Sequence, residues 1–166
     1  MKRRLGVISA LLVAAVVCAT VAPASADPLQ SVTGSGWRGT VNNPTTPIIH
    51  FVVSAQNGPM GVSGTYALMT PFNPNAALFN FSGNVTCLQI VGNQVIVGGV
   101  VTSGGQPGQT GTGFAVGFID TGPASDTQTF TDLLLPTPVD CTAEQFLFTQ
   151  LLFPVLNGNV VVAGGS

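Results

Sequence analysis

The side chains able to do chemistry in this 166-residue chain are few, and most are carboxylates. Phe118-Ile119-Asp120-Thr121-Gly122 sets an aspartate at the end of an apolar run, with Asp126, Asp132 and Asp140 downstream. An aspartate so placed can share a proton with a second carboxylate and activate water. On loops, the same acids carry oxygens of the kind calcium takes; Asp120 and Asp126 are the pair to consider, with Asp132 or Asp140 as further ligands. Their spacing follows no defined calcium loop, so no metal or other cofactor is expected. His50, the sole histidine, stands between Ile49 and Phe51 in an apolar run. A hydrolytic triad needs a nucleophile and an orienting acid beside its histidine, and catalytic zinc needs three protein ligands. One histidine supplies neither, and no catalytic residue is expected.

Asp120-Thr121-Gly122 resembles the active-site triplet of the aspartic proteases. A single copy in so short a chain would imply a homodimer contributing one aspartate per subunit. Only 44 residues follow Gly122, whereas most of a protease domain follows its triplet, and Pro123 stands where that family carries Ser or Ala. The preferred expectation is a strand end running into an Asp-Gly turn, with an Asp120-dependent hydrolase as the remote alternative.

The ends of the chain set the compartment. Lys2, Arg3 and Arg4 precede an apolar run from Leu5 to Val17, and Ala24-Ser25-Ala26 offers small residues for cleavage before Asp27. This is the pattern of a Sec-type signal peptide over residues 1–26, giving a secreted domain of residues 27–166 with no transmembrane segment. Removing it leaves one arginine, Arg38, against six acidic side chains, a formal balance of −5. One cation cannot neutralise a run of phosphates, so nucleic acid is excluded as a partner. Cys18 leaves with the peptide. Cys87 and Cys141 remain in an oxidising compartment, where only one pairing is open to them. Closing that loop would contribute roughly 4 kcal/mol on the chain-entropy account.

These residues must be held by β structure. Leu78 to Ile90 and Gln94 to Val101 flank Gly92-Asn93, the signature of a tight hairpin with Cys87 on its first strand. Further strands are expected at Ser31–Val41, Ile48–Ala55, Met60–Met69, Phe114–Ile119, Thr127–Leu135 and Val160–Val162. Pro71 to Asn75 reads as a loop, Ser103 to Gly113 as a flexible connector without core residues, and Asn157-Gly158-Asn159 as a turn. Thr142-Ala143-Glu144-Gln145 has the form of a capping box, predicting one short helix near 143–152 that Pro154 ends. The fold class is therefore all-β, a single antiparallel barrel or sandwich of about seven to eight strands.

Phe81-Ser82-Gly83-Asn84-Val85-Thr86-Cys87-Leu88, Gly92-Asn93, Val97-Gly98-Gly99-Val100-Val101, Asp120-Thr121-Gly122, Asp126, Cys141 and Gly158-Asn159-Val160-Val161-Val162 together are similar to a group of small exported actinobacterial β-proteins. The similarity implies that the two cysteines and the Asp120 loop form one framework; no activity is attached to it. Trp37 in a Gly-rich first strand, with Gly64-Thr65-Tyr66 later, resembles the opening of avidin-like barrels and implies an up-and-down architecture without a ligand.

The apolar block Phe146, Phe148, Leu151, Leu152 and Phe153 caps an open barrel end if buried; exposed, it is a contact surface. The expected function is a non-enzymatic secreted or cell-surface β-domain with a binding or structural role. A carrier of a small apolar ligand, with a cavity inside the barrel, is the alternative.

Overall fold

The computed structural model describes residues 29–71, 79–122 and 125–164. The signal-peptide reading of 1–26, Asp27, most of the Pro71–Asn75 loop, Leu78 and Pro123 lie outside the described residues. Ten strands form one antiparallel sheet: β1 (Gln30–Arg38), β2 (Ile49–Gly58), β3 (Gly61–Met69), β4 (Phe81–Val91), β5 (Gln94–Gly104), β6 (Gly113–Ile119), β7 (Thr127–Thr129), β8 (Asp132–Leu135), β9 (Leu152–Pro154) and β10 (Leu156–Ala163). Their order is β10-β1-β2-β3-β4-β5-β6-β7-β9, with β8 also on β6. The first six run up and down in sequence order. Because β9 and β10 are joined through Val155 alone, the sheet curls into a nearly closed barrel.

Alternation makes the interior. Val32, Phe51, Val53, Tyr66, Leu68, Phe81, Val85, Val97, Phe114, Val116, Phe118 and Val160 are buried in one cluster, as period-2 strands around a common core require. Tyr66 is its hub, with ring centroids of Phe114 at 5.4 Å, Phe81 at 5.8 Å and Phe118 at 6.4 Å.

A second, smaller core lies on the outer wall. Ile96, Ala115, Val139, Cys141 and Leu147 pack together, with Cys87, Leu135 and Phe148 at the edge. Cys87 is disulfide-bonded to Cys141, with Cα atoms 5.9 Å apart. Gly98 makes room for the bond: a Cβ there would lie 2.6 Å from the Cys87 sulfur.

Several local expectations change. The hairpin turn is Gly92-Asn93 as read, with Gly92 at φ +60°. The stretch 127–135 is two strands, since Thr129 turns its hydroxyl to accept the Gly117 N–H at 2.8 Å and the chain leaves the ladder at Phe130. The connector 103–113 is not coreless: Gln109 is buried and its Oε1 accepts the Gln106 N–H at 2.7 Å. Ala143–Thr149 is a 3-10 helix, shorter than the predicted 143–152. Its capping box does not form, because Thr142 donates its hydroxyl to Asp140 instead. Leu152 and Phe153 belong to β9, and Asn157-Gly158-Asn159 continues β10 rather than turning. The apolar block therefore splits. Leu147 fills the outer core and Phe153 is fully buried, while Phe146 and Leu151 remain exposed. It covers a wall of the barrel and does not plug an end.

Candidate functional site

The acids singled out by the sequence sit where the barrel closes. Asp120 follows β6 and Asp126 precedes β7. Asp126 is 1 % exposed. Its Oδ1 accepts the Thr121 N–H at 3.0 Å and its Oδ2 the Val160 N–H at 2.7 Å. Asp120 does the same one repeat further along β10: Oδ1 accepts from Gly122 at 3.1 Å and Oδ2 from Val162 at 3.0 Å. The Asp126 carbonyl accepts the Val155 N–H at 2.8 Å. Between β10 and the far side of the sheet, side-chain carboxylates thus replace the missing strand-to-strand ladder. Val160 and Val162 are two residues apart on one strand, which sets their amides about 7 Å from each other. Each carboxylate is aimed at its own amide, a spacing that does not suit a shared proton. The hairpin braces the loop: Asp120 N–H donates to the Asn93 carbonyl at 2.9 Å, and Asn93 Nδ2 donates back to the Asp120 carbonyl at 2.8 Å.

The remaining acids belong to the outer wall. Burial pushes Asp132 and Glu144 above the usual carboxylate range, and the charges of Asp132 and Asp140 push Glu144 further. Exposed Asp140 is held low by the hydroxyl and amide of Thr142. Among the described residues, no three His, Cys, Asp or Glu side chains converge. His50 is half-buried on the outer face, its ring 4.9 Å from that of Trp37.

The sequence reading passed over Arg38. Val32, Gly34 and Gly36 precede it in phase on the inward side of β1, so the only arginine of the expected mature chain points into the barrel, 1 % exposed. Its guanidinium lies 4.8 Å from the Phe153 ring centroid and 5.7 Å from that of Phe130. Nη1 donates to the Gly39 carbonyl at 3.2 Å; Nε and Nη2 are buried with no hydrogen-bond partner. Burial lowers the Arg38 pKa, and the nearby Tyr66 opposes that. A guanidinium nonetheless stays charged at neutral pH.

Tyr66 is no counter-ion. Burial raises its phenol to about 12 despite Arg38, Thr131 and Gln128, which favour the phenolate. Its hydroxyl lies 3.1 Å from Thr131 Oγ1 and accepts from Gln128 Nε2 at 3.0 Å, while Gln128 Oε1 is buried without a partner. The signal that could have found this cluster was the phase of β1: alternation from Val32 reaches Arg38 on the inner face.

Two surface grooves flank these features. One, of about 150 Å³, is lined by Gln89, Val91, Gln94, Ile96, Gln145 and Phe148. The other, of about 460 Å³, is lined by Thr45, Pro47, Val155, Leu156, Asn157 and Gly158. Neither is lined by an ionisable side chain. No protein family, curated protein or solved structure matches the chain.

Proposed function

We propose that the chain is an exported, non-enzymatic β-barrel with a binding role. The observation that carries this reading is the use of Asp120 and Asp126: all four carboxylate oxygens accept backbone N–H groups, one of each pair from within the loop and the other from β10, where the barrel closes. Each oxygen is thereby engaged by an amide, an arrangement that favours a structural use of the two carboxylates over general-base work. The Cys87–Cys141 disulfide supports an oxidising compartment, in keeping with cleavage of residues 1–26. Among the described residues the one Lys or Arg side chain is interior, which supports a partner other than nucleic acid. Membership of the exported actinobacterial group is part of the same reading.

The test is an incubation of the purified protein with a mixed peptide library at acidic and neutral pH. No cleavage above background is expected for the wild type or for Asp120→Asn. Cleavage that disappears in Asp120→Asn overturns the proposal in favour of the hydrolase.

A further inference from the structure

We propose that the groove of about 150 Å³ between the β4–β5 hairpin and the 3-10 helix binds one uncharged pyranose ring, as a free sugar or as the end of a glycan. This rests on the binding-barrel reading and gives it a ligand class.

The groove is built by one strand irregularity and two glycines. β4 slips by one residue against β5 between Val85 and Cys87. Cys87, Gln89 and Val91 therefore face outward, paired with Gly98, Ile96 and Gln94. Without the slip, Gln89 would keep the inward phase of Phe81, Gly83 and Val85. On this outer wall Gly98 admits the disulfide, and Gly117 admits Phe148, whose ring would stand 2.9 Å from a Cβ placed there. The clasp so seated brings Gln145 and Phe148 over Ile96, the one fully buried side chain of the lining. Val91, 56 % exposed, and the exposed Gln145 leave the groove open to solvent.

The lining selects the ligand. Val91, Ile96 and Phe148 give an apolar side, and Gln89, Gln94 and Gln145 bring three carboxamides, each with donors and an acceptor. A pyranose has the same two-sided character: C–H groups on its faces, and hydroxyls that both donate and accept around its rim. The volume suits one ring, since a cavity of about 150 Å³ takes a molecule the size of benzene. No lining residue is ionisable, and the clasp carries Asp140 and Glu144, so an anionic sugar is disfavoured. Gln89 adds an independent sign. It is half-buried beside the groove, yet its Oε1 is buried without a hydrogen-bond partner. The last torsion of a glutamine is soft, so turning the carboxamide toward a ligand hydroxyl gains a hydrogen bond that the oxygen otherwise lacks.

The experiment is an NMR titration of the full mature chain. The probes are the methyl pyranosides of glucose, galactose and mannose, their uronates as anionic controls, and trisaccharides ending in each ring. At least one methyl pyranoside is expected to give saturable shifts confined to the amides of Gln89, Val91, Gln94 and Gln145. Its uronate should bind at least about fivefold more weakly. A trisaccharide binding as well as the pyranoside assigns the site to a glycan end, and one binding more weakly assigns it to the free sugar. Gln89→Leu should lower affinity about fivefold, the worth of one hydrogen bond. The same change should leave urea unfolding unmoved or shift it to higher denaturant, which loss of a structural glutamine would not do. Reducing Cys87–Cys141 should abolish the shifts while Val160 and Val162 stay protected, because Gln145 and Phe148 leave with the clasp. No saturable shift with any probe, shifts scattered over the surface, or unchanged affinity after Gln89→Leu or after reduction would each overturn the proposal. So would a uronate that binds as tightly as its pyranoside. A barrel that binds no sugar and cleaves no peptide keeps the broader reading, whereas Asp120-dependent cleavage sinks that reading whatever the titration shows.

Discussion

Asp126 and Arg38 are buried to the same degree, each 1 % exposed, yet the fold treats them in opposite ways. Asp126 sits where β10 meets the far edge of the sheet and both its oxygens accept backbone donors. Arg38 sits inside the opposite end, with two nitrogens unpartnered and aromatic rings in place of a counter-ion. The first is a charge used as a structural part. The second carries an unmet demand. Buried polar groups in folded proteins are overwhelmingly satisfied, so Arg38 stands with Gln128 among the few side chains here that are not.

The largest expected effect is on the closure. Asp126→Ala would orphan the amides of Thr121 and Val160; at up to about 3 kcal/mol for each, less relaxation, a loss of roughly 4 kcal/mol is expected in urea unfolding. A loss below about 1 kcal/mol would mean that the carboxylate is not what joins β10 to the sheet.

Reducing Cys87–Cys141 should follow, at up to roughly 4 kcal/mol, with the effect confined to the outer wall. Amide exchange should accelerate first in the Pro136–Phe153 stretch while Val160 and Val162 stay protected. Simultaneous loss at both would show that closure and clasp are one unit.

The smallest effect is spectroscopic and probes the arginine. Tyr66 should form phenolate near pH 12 in the folded protein, above the ordinary tyrosine value of about 10. The unfolded chain releases that proton first, so the stability this phenol contributes is complete below about pH 10 and is lost as pH climbs toward 12. Arg38→Met should raise the transition further, since it removes a cation that lowers it. A transition near 10 in both proteins would remove Tyr66 from the buried cluster.

How much of this was legible depended on the range of the interaction. Gly92-Asn93 forms its turn from local backbone preference, because Gly92 takes the positive φ that hairpin turns ask for. The disulfide followed from counting, once the signal-peptide reading set Cys18 aside. The strand breaks were not legible. Thr127 to Leu135 reads as one β-run, but Thr129 satisfies Gly117 with its side chain and Leu134 adopts φ +62°. Asn157-Gly158-Asn159 has turn composition yet lies within β10, as an irregularity with Asn157 at φ +48° between the Asn159–Ser35 and Leu156–Trp37 pairs with β1. The capping box failed because Thr142 takes helical backbone angles, φ −71° and ψ −35°, and turns its hydroxyl toward Asp140, two residues upstream.

Alone, the sequence determined the class: short strands rich in β-branched and aromatic residues, few charges, and a cysteine pair able to join only one way. Tertiary structure decided what the charges do. The short-range pattern of the Asp120 loop reads first as a strand end running into an Asp-Gly turn, with catalytic and calcium readings behind it. The arrival of β10, some forty residues later in the chain, supplies amides to its carboxylates that no local pattern announces. Arg38 entered the sequence reading only through the charge balance, and barrel closure turns its face of β1 inward, where no described acid follows it. A side chain's partners are set by the strands that meet around it, and those meetings are long-range.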